Sequence, residues 1–241
     1  MILEVEGLWK EYGSLHVLRD LSFSVARGES VALLGPSGCG KTTLFRILLR
    51  KEGYTRGTIR GTFDAAGYLP QGGCLFPWKT VMENVELPLQ IQRVDRAIRR
   101  DRIEAQLSTF GLAGFSDTYP HELSGGMKQR VALLRTIITG APILFLDEPF
   151  GALDTITRHR LQIWLAEIIA DLDRTTLFVT HDIEEAVLLA QRVIILTERP
   201  AGILGEQKID LGTDKRTNRM SRAFMHAKET LLTMIEEGGG S

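Results

Sequence analysis

No apolar stretch in these 241 residues approaches the roughly 18–20 residues that crossing a membrane requires. The best candidate, "AVLLAQRVIILT" at 186–197, is too short and carries Arg192. The start, "MILEVEGLWK", has no basic segment followed by an apolar core, so no signal peptide is expected. An excess of one charge is missing too: 29 Lys+Arg stand against 30 Asp+Glu, a net charge of −1. That balance argues against general nucleic-acid binding. Cysteine is scarce, with only Cys39 and Cys74. Cys39 lies inside a Gly-rich run, a poor place for a structural disulfide, so a reduced, cytosolic chain is expected. There is no internal repeat and no long low-complexity segment. The tail "GGGS" at 238–241 resembles an added linker and is set aside. Residues 1–237 read as one domain.

What is present is a 44% hydrophobic content, enough for a sizeable core, and a clear rhythm. "ILEVEGLW" and "HVLRDLSFSV" (16–25) alternate apolar and polar, as half-buried strands do. "SVALLG" (30–35), "APILFLDEP" (141–149), "TTLFVT" (175–180) and "RVIILT" (192–197) are short apolar runs of buried-strand type. "AAGYLP" precedes Gln71 as a further strand. Between them, "KTTLFRILLR" (41–50), "HRLQIWLAEIIADL" (159–172) and "IEEAVLLA" have helical spacing. Strands alternating with helices predict an α/β fold with a mainly parallel sheet, preceded by an antiparallel N-terminal part. Residues 79–139 break the rhythm and read as an inserted helical lobe. Its Arg-rich stretch 93–102 reads as a solvated helix face.

"GPSGCGKTT" at 35–43 fits G-x-x-x-x-G-K-[ST] between a strand and a helix, the context a phosphate loop requires. Its glycines, Gly35, Gly38 and Gly40, let backbone N–H groups turn toward phosphate, and the helix N-terminus adds partial positive charge. Lys41 can reach the β- and γ-phosphates, and Thr42 can ligate Mg²⁺. Cys39 sits among these glycines. Its thiol is expected to react with a maleimide in nucleotide-free protein and to be protected by Mg-ATP. Asp147 ends the apolar strand "ILFLD", where a carboxylate is costly unless a cation such as Mg²⁺ offsets it. Glu148 follows and can orient or deprotonate an attacking water. His181 ends "TTLFVT", at the strand edge where such sheets bind ligands. Taken alone, the residues leave alternatives open: a structural ion pair for Glu148, a core histidine for His181, a loop amide for Gln71. A second Gly-rich element, "LSGGMKQR" at 123–130, precedes a helix-like stretch and looks built to hold a phosphate, with a simple helix cap as the alternative.

These pieces in this order resemble the ATP-binding-cassette (ABC) ATPase family over nearly the whole chain, from Tyr12 to about residue 210. "LSGGMKQR" is the most specific element and matches the family's signature motif. The resemblance implies a P-loop core that binds ATP and Mg²⁺. The expected nucleotide contacts are Tyr12, stacked on adenine, and Gly35, Pro36, Ser37, Gly38, Cys39, Gly40, Lys41, Thr42 and Thr43. It also implies a head-to-tail dimer in which Ser124, Gly125 and Gly126 cap the ATP held by the partner's phosphate loop. Asp154, in "GALD", crosses that interface. Gln71 becomes a ligand of Mg²⁺ and water, beside the metal ligands Thr42 and Asp147. Lys41, Gln71, Glu148 and His181 become the catalytic set.

"LPQGGCLFPWKTVMENV" is similar to bacterial importers of the nitrate, sulfonate and taurine type, although the segment between the phosphate loop and Gln71 is shorter than that pattern. The implied partners are a second copy, two transmembrane permease subunits and, indirectly, an extracytoplasmic solute-binding protein. The implied location is the cytoplasmic face of the cell membrane. Two other readings stay open, an exporter ATPase and a soluble non-transport ABC ATPase.

Overall fold

The computed structural model describes residues 1–61, 65–151, 153–172, 174–211 and 218–238. Two sheets organise it. β1 (Leu3–Tyr12) pairs antiparallel with β2 (Leu15–Val25) and with β4 (Arg56–Gly61), giving the order β2-β1-β4. The larger sheet contains β3 (Ser30–Leu34), β5 (Ala66–Leu69), β6 (Ile143–Asp147), β7 (Thr175–Thr180), β8 (Arg192–Leu196) and β9 (Ile203–Lys208). Its order is β5-β6-β7-β3-β8-β9, parallel throughout except for the final antiparallel pair. The expected α/β fold, mainly parallel with an antiparallel N-terminal part, is what is found.

The helices are α1 (Lys41–Leu48), α2 (Val81–Ile91), α3 (Arg96–Leu107), α4 (Gly125–Ile137), α5 (Thr155–Asp171), α6 (Ile183–Leu189) and α7 (Arg222–Gly238). Three of them, α2, α3 and α4, fall between β5 and β6, where the periodicity changes. α2 opens with a capping box in which Thr80 and Glu83 satisfy each other's backbone N–H groups. No helix among the described residues is long and apolar enough to cross a membrane.

The central strands are apolar on both faces because each face meets its own core. Val31, Leu33, Phe145, Leu177, Val179 and Ile194 point to one side, where α1 and the antiparallel sheet cover them. Ala32, Leu34, Leu144, Leu146, Phe178 and Ile195 point to the other, against the remaining helices. This period-two division turns an apolar run such as "ILFLD" into a strand buried on both sides. Phe45 of α1 meets Phe145 edge to face, with ring centroids 5.3 Å apart.

Sheet order also places the chemistry. β7 lies between β3 and β6, and β5 flanks β6. The C-terminal ends of four parallel strands therefore present the phosphate loop, His181, Asp147–Glu148 and Gln71 along one edge.

Candidate functional site

Gly38 and Gly40 have φ of 79° and 128°, backbone that only glycine adopts without strain, and they turn the loop into α1. A side chain at Gly40 would also crowd its neighbours: a Cβ there would sit 3.0 Å from Leu18 and 3.1 Å from Val17. Lys41, 5% exposed, donates from Nζ to the carbonyls of Gly35 and Pro36, both at 2.8 Å. Its ammonium lies 3.8 Å from Glu148 Oε1.

Glu148 gathers the site. Its Oε1 lies 3.5 Å from His181 Nδ1, and its Oε2 accepts from Gln71 Nε2 at 3.2 Å. Lys41, Gln71 and His181, drawn from three separate stretches of sequence, thus converge on one carboxylate. Glu148 holds this position at φ 44°, a left-handed backbone unusual for a residue with a side chain. Its N–H donates to Val179 O and its C=O accepts from Gly151 N, which hold the conformation in place. Strain of this kind concentrates at functional sites.

Asp147 is 1% exposed. Thr42 Oγ1 lies 3.5 Å from its Oδ1, and the Tyr68 hydroxyl donates to its Oδ2 at 3.3 Å. Burial pushes the Asp147 carboxyl above its ordinary range, an effect the Tyr68 hydrogen bond opposes. Burial and the nearby carboxylate push the Tyr68 phenol up to about 12, so it stays a donor. No ion pair to Asp147 lies within 4 Å among the described residues, and no cluster of three His, Cys, Asp or Glu side chains accompanies it there. A buried carboxylate beside a hydroxyl, with no cationic side chain within 4 Å among the described residues, fits Mg²⁺. That ion commonly takes one or two protein oxygens and completes its shell with water and substrate phosphates. Gln71 sits on Glu148 instead of on Asp147.

Ser124 N-caps α4, its Oγ accepting from Met127 N–H at 3.3 Å. Among the described residues no hydrogen bond links 122–130 to the phosphate loop of the same chain. Gly126 packs tightly against α5, since a Cβ there would come within 2.8 Å of Thr157. Asp154, exposed, caps α5 through Thr157 N–H at 3.0 Å, and that bond lowers its carboxyl pKa. Tyr12 is exposed at the end of β1. Lys10 Nζ lies 4.4 Å from its ring centroid, and its hydroxyl bonds Glu52. Lys10 and Glu52, which the sequence did not single out, also pair with each other at 3.0 Å.

One expectation is corrected. Cys39 does not face the phosphates: it is 1% exposed, and burial raises its thiol pKa. Its side chain enters the core beside Gly35, where a Gly35 Cβ would lie 3.2 Å from Cys39 Sγ. Cys74 is the exposed thiol. A maleimide should therefore label native protein once, at Cys74, with C74A unreactive until denatured. Rapid labelling of native C74A, detected by mass, would put Cys39 back on the surface.

A family model described as "ABC transporter" matches residues 18–151. The chain belongs to the ABC transporter family. It is 45% identical over 227 residues to a formylaminopyrimidine import ATP-binding protein of Halalkalibacterium halodurans, covering 92% of this chain and 90% of the relative. It is 42% identical over 228 residues to a nitrate import ATP-binding protein of Synechocystis, covering 90% and 86%. An aliphatic sulfonates import ATP-binding protein of Bacillus anthracis is 37% identical over 238 residues, covering 96% and 93%. Among solved structures, a dimeric bacterial ABC transporter cassette superposes with a TM-score of 0.74 at 29% identity, covering 86% of this chain and 99% of that one. A post-hydrolysis dimer bound to ADP and Pi gives 0.73 at 28% identity. The chain is thus an ABC-family ATPase cassette in which Lys41, Gln71 and His181 converge on Glu148.

Proposed function

We propose that this ABC ATPase powers a bacterial importer of small solutes of the kind its relatives' names describe: nitrate, sulfonates, taurine or formylaminopyrimidine. The observation that carries the catalytic part is the meeting of Lys41, Gln71 and His181 on Glu148. In this reading Glu148 takes a proton from water, and Gln71 and His181 fix where that water sits. Lys41 leaves the Gly35 and Pro36 carbonyls for the β- and γ-phosphates, and the loop from Gly35 to Thr43 offers its N–H groups to the phosphate oxygens. Thr42, Gln71 and Asp147 are the proposed Mg²⁺ ligands, and the ion supplies charge neutralisation as the phosphoryl group transfers. Tyr12 stacks on adenine.

Two copies pack head to tail, so that Ser124, Gly125 and Gly126 of one reach the γ-phosphate held by the other, and Asp154 crosses between them. Residues 1–237 act as one cassette with 79–139 as its inserted lobe. The dimer sits beneath two permease subunits at the cytoplasmic face of the membrane, and an extracytoplasmic binding protein delivers solute. ATP-driven closure and reopening move the permease between access states.

The transport contact is assigned to the segment after Gln71. Trp78 is 69% exposed and meets Phe76 edge to face, so it is not a core residue, and this apolar pair faces water in the monomer. Asn84 fastens the turn by accepting from Phe76 N–H and donating to the carbonyls of Phe76, Lys79 and Thr80. Replacing Pro77 and Trp78 by serine should abolish solute uptake in reconstituted vesicles and leave basal ATPase within about twofold, because neither residue touches the catalytic set. Retained uptake would remove this segment from the coupling contact. A parallel fall in melting temperature and ATPase would make its role structural.

A further inference from the structure

We propose that Tyr68 is a positioning residue for the metal site: its hydroxyl holds one oxygen of Asp147 so that the other faces Thr42 and the ion. The proposal rests on reading Asp147 and Thr42 as metal ligands. Register makes the contact possible. Tyr68 of β5 lies opposite Phe145 of β6, and Asp147 follows two residues later on the same face. The phenol extends diagonally along the pair to reach the carboxylate, a reach open to long side chains on one face of a sheet.

A carboxylate with one anchored oxygen has a defined orientation, whereas an unanchored one rotates about its Cβ–Cγ bond. Oδ2 accepts from Tyr68 at 3.3 Å, which leaves Oδ1 turned to Thr42 Oγ1 at 3.5 Å. Packing against the core that contains Phe145 holds the ring, and Lys51 Nζ stands 4.6 Å over its centroid without being needed for that hold. Phenylalanine would fill the same space. The hydroxyl is the one polar side-chain group in a strand that otherwise reads Ala-Gly-Leu. Groups that orient a metal ligand in this way typically affect metal affinity about 10- to 100-fold.

The test is Mn²⁺ affinity, read by electron paramagnetic resonance on protein loaded with a nonhydrolysable ATP analogue. Nucleotide affinity in EDTA is the companion measurement. Y68F should weaken Mn²⁺ binding about tenfold, keep metal-free nucleotide affinity within twofold and keep its melting temperature. K51M, which removes the cation over the ring but not the hydroxyl, should match wild type. Y68L, without the ring, should show the same metal defect as Y68F and guards against a folding fault particular to one variant. D147N separates the two levels of the claim by removing the ligand itself. If D147N binds Mn²⁺ poorly while Y68F and Y68L bind it like wild type, Tyr68 has no positioning role. If D147N binds Mn²⁺ normally, the metal-site reading fails and the proposal fails with it. Equal losses of metal and metal-free nucleotide affinity in Y68F would make Tyr68 a general structural support and overturn the proposal.

Discussion

Glu148→Gln should bind ATP as tightly as the unaltered protein and hydrolyse it about 10²–10⁴-fold more slowly, the usual contribution of a positioned general base. That range corresponds to about 3–5 kcal/mol of barrier. The substitution is nearly isosteric, so Gln71 at 3.2 Å keeps a hydrogen-bonding neighbour and the left-handed turn at 148 keeps its backbone bonds to Val179 and Gly151. What disappears is the negative charge facing Lys41 and His181. Because ATP then persists, the variant should also accumulate as a nucleotide-bound dimer on size exclusion, where the unaltered protein returns to monomer after turnover. Single-turnover phosphate release is the direct assay. Hydrolysis at the unaltered rate would reduce Glu148 to an ion-pair partner of Lys41 and His181.

The sequence made the phosphate loop legible because its glycines answer a backbone demand that leaves a fixed spacing. The strands "SVALL", "ILFLD" and "TTLFVT" were legible because burial on both faces makes them unbroken apolar runs. Their order in the sheet was not. Nothing in one strand's composition says that β7 lies between β3 and β6, yet that placement sets His181 beside Glu148. β4, "RGTIRG", and β9, "ILGEQK", escaped notice since they are edge strands, with few buried residues and no clean alternation. α7 went unread although Phe224, Ala227 and Leu231 recur at helical spacing, because apolar residues such as Met225 and Leu232 also lie on its exposed side and blur the stripe. Cys39 was misjudged because spacing locates a loop residue without saying which way its side chain turns. Tyr68 gave one signal, a hydroxyl in an apolar strand just before Gln71, and its partner became visible only through the register with β6.

The second large effect concerns the element that began as a duplicate phosphate site. Ser124 caps α4, and no hydrogen bond ties 122–130 to the phosphate loop of its own chain among the described residues. In a head-to-tail dimer each composite site takes Lys41 from one copy and Ser124 from the other. Losing one charged or hydrogen-bonded γ-phosphate partner should weaken closure by about 1.5–3 kcal/mol, roughly ten- to a hundredfold. The consequence depends on how the losses are distributed. A K41A subunit paired with an S124A subunit puts both defects into one composite site and leaves the other whole. A K41A/S124A subunit paired with an unaltered one puts a single defect into each site, so neither is whole.

Nucleotide trapping in isolated heterodimers of these two compositions is the most direct measurement of the central claim, and trapping is preferable to steady-state hydrolysis because cooperative turnover can require both sites. The account predicts that the K41A with S124A dimer traps one nucleotide near the affinity of the unaltered dimer, whereas the double-mutant dimer traps about ten- to a hundredfold more weakly. Trapping retained by the double-mutant dimer and lost by the first would place Ser124 on its own chain's nucleotide and contradict the head-to-tail arrangement.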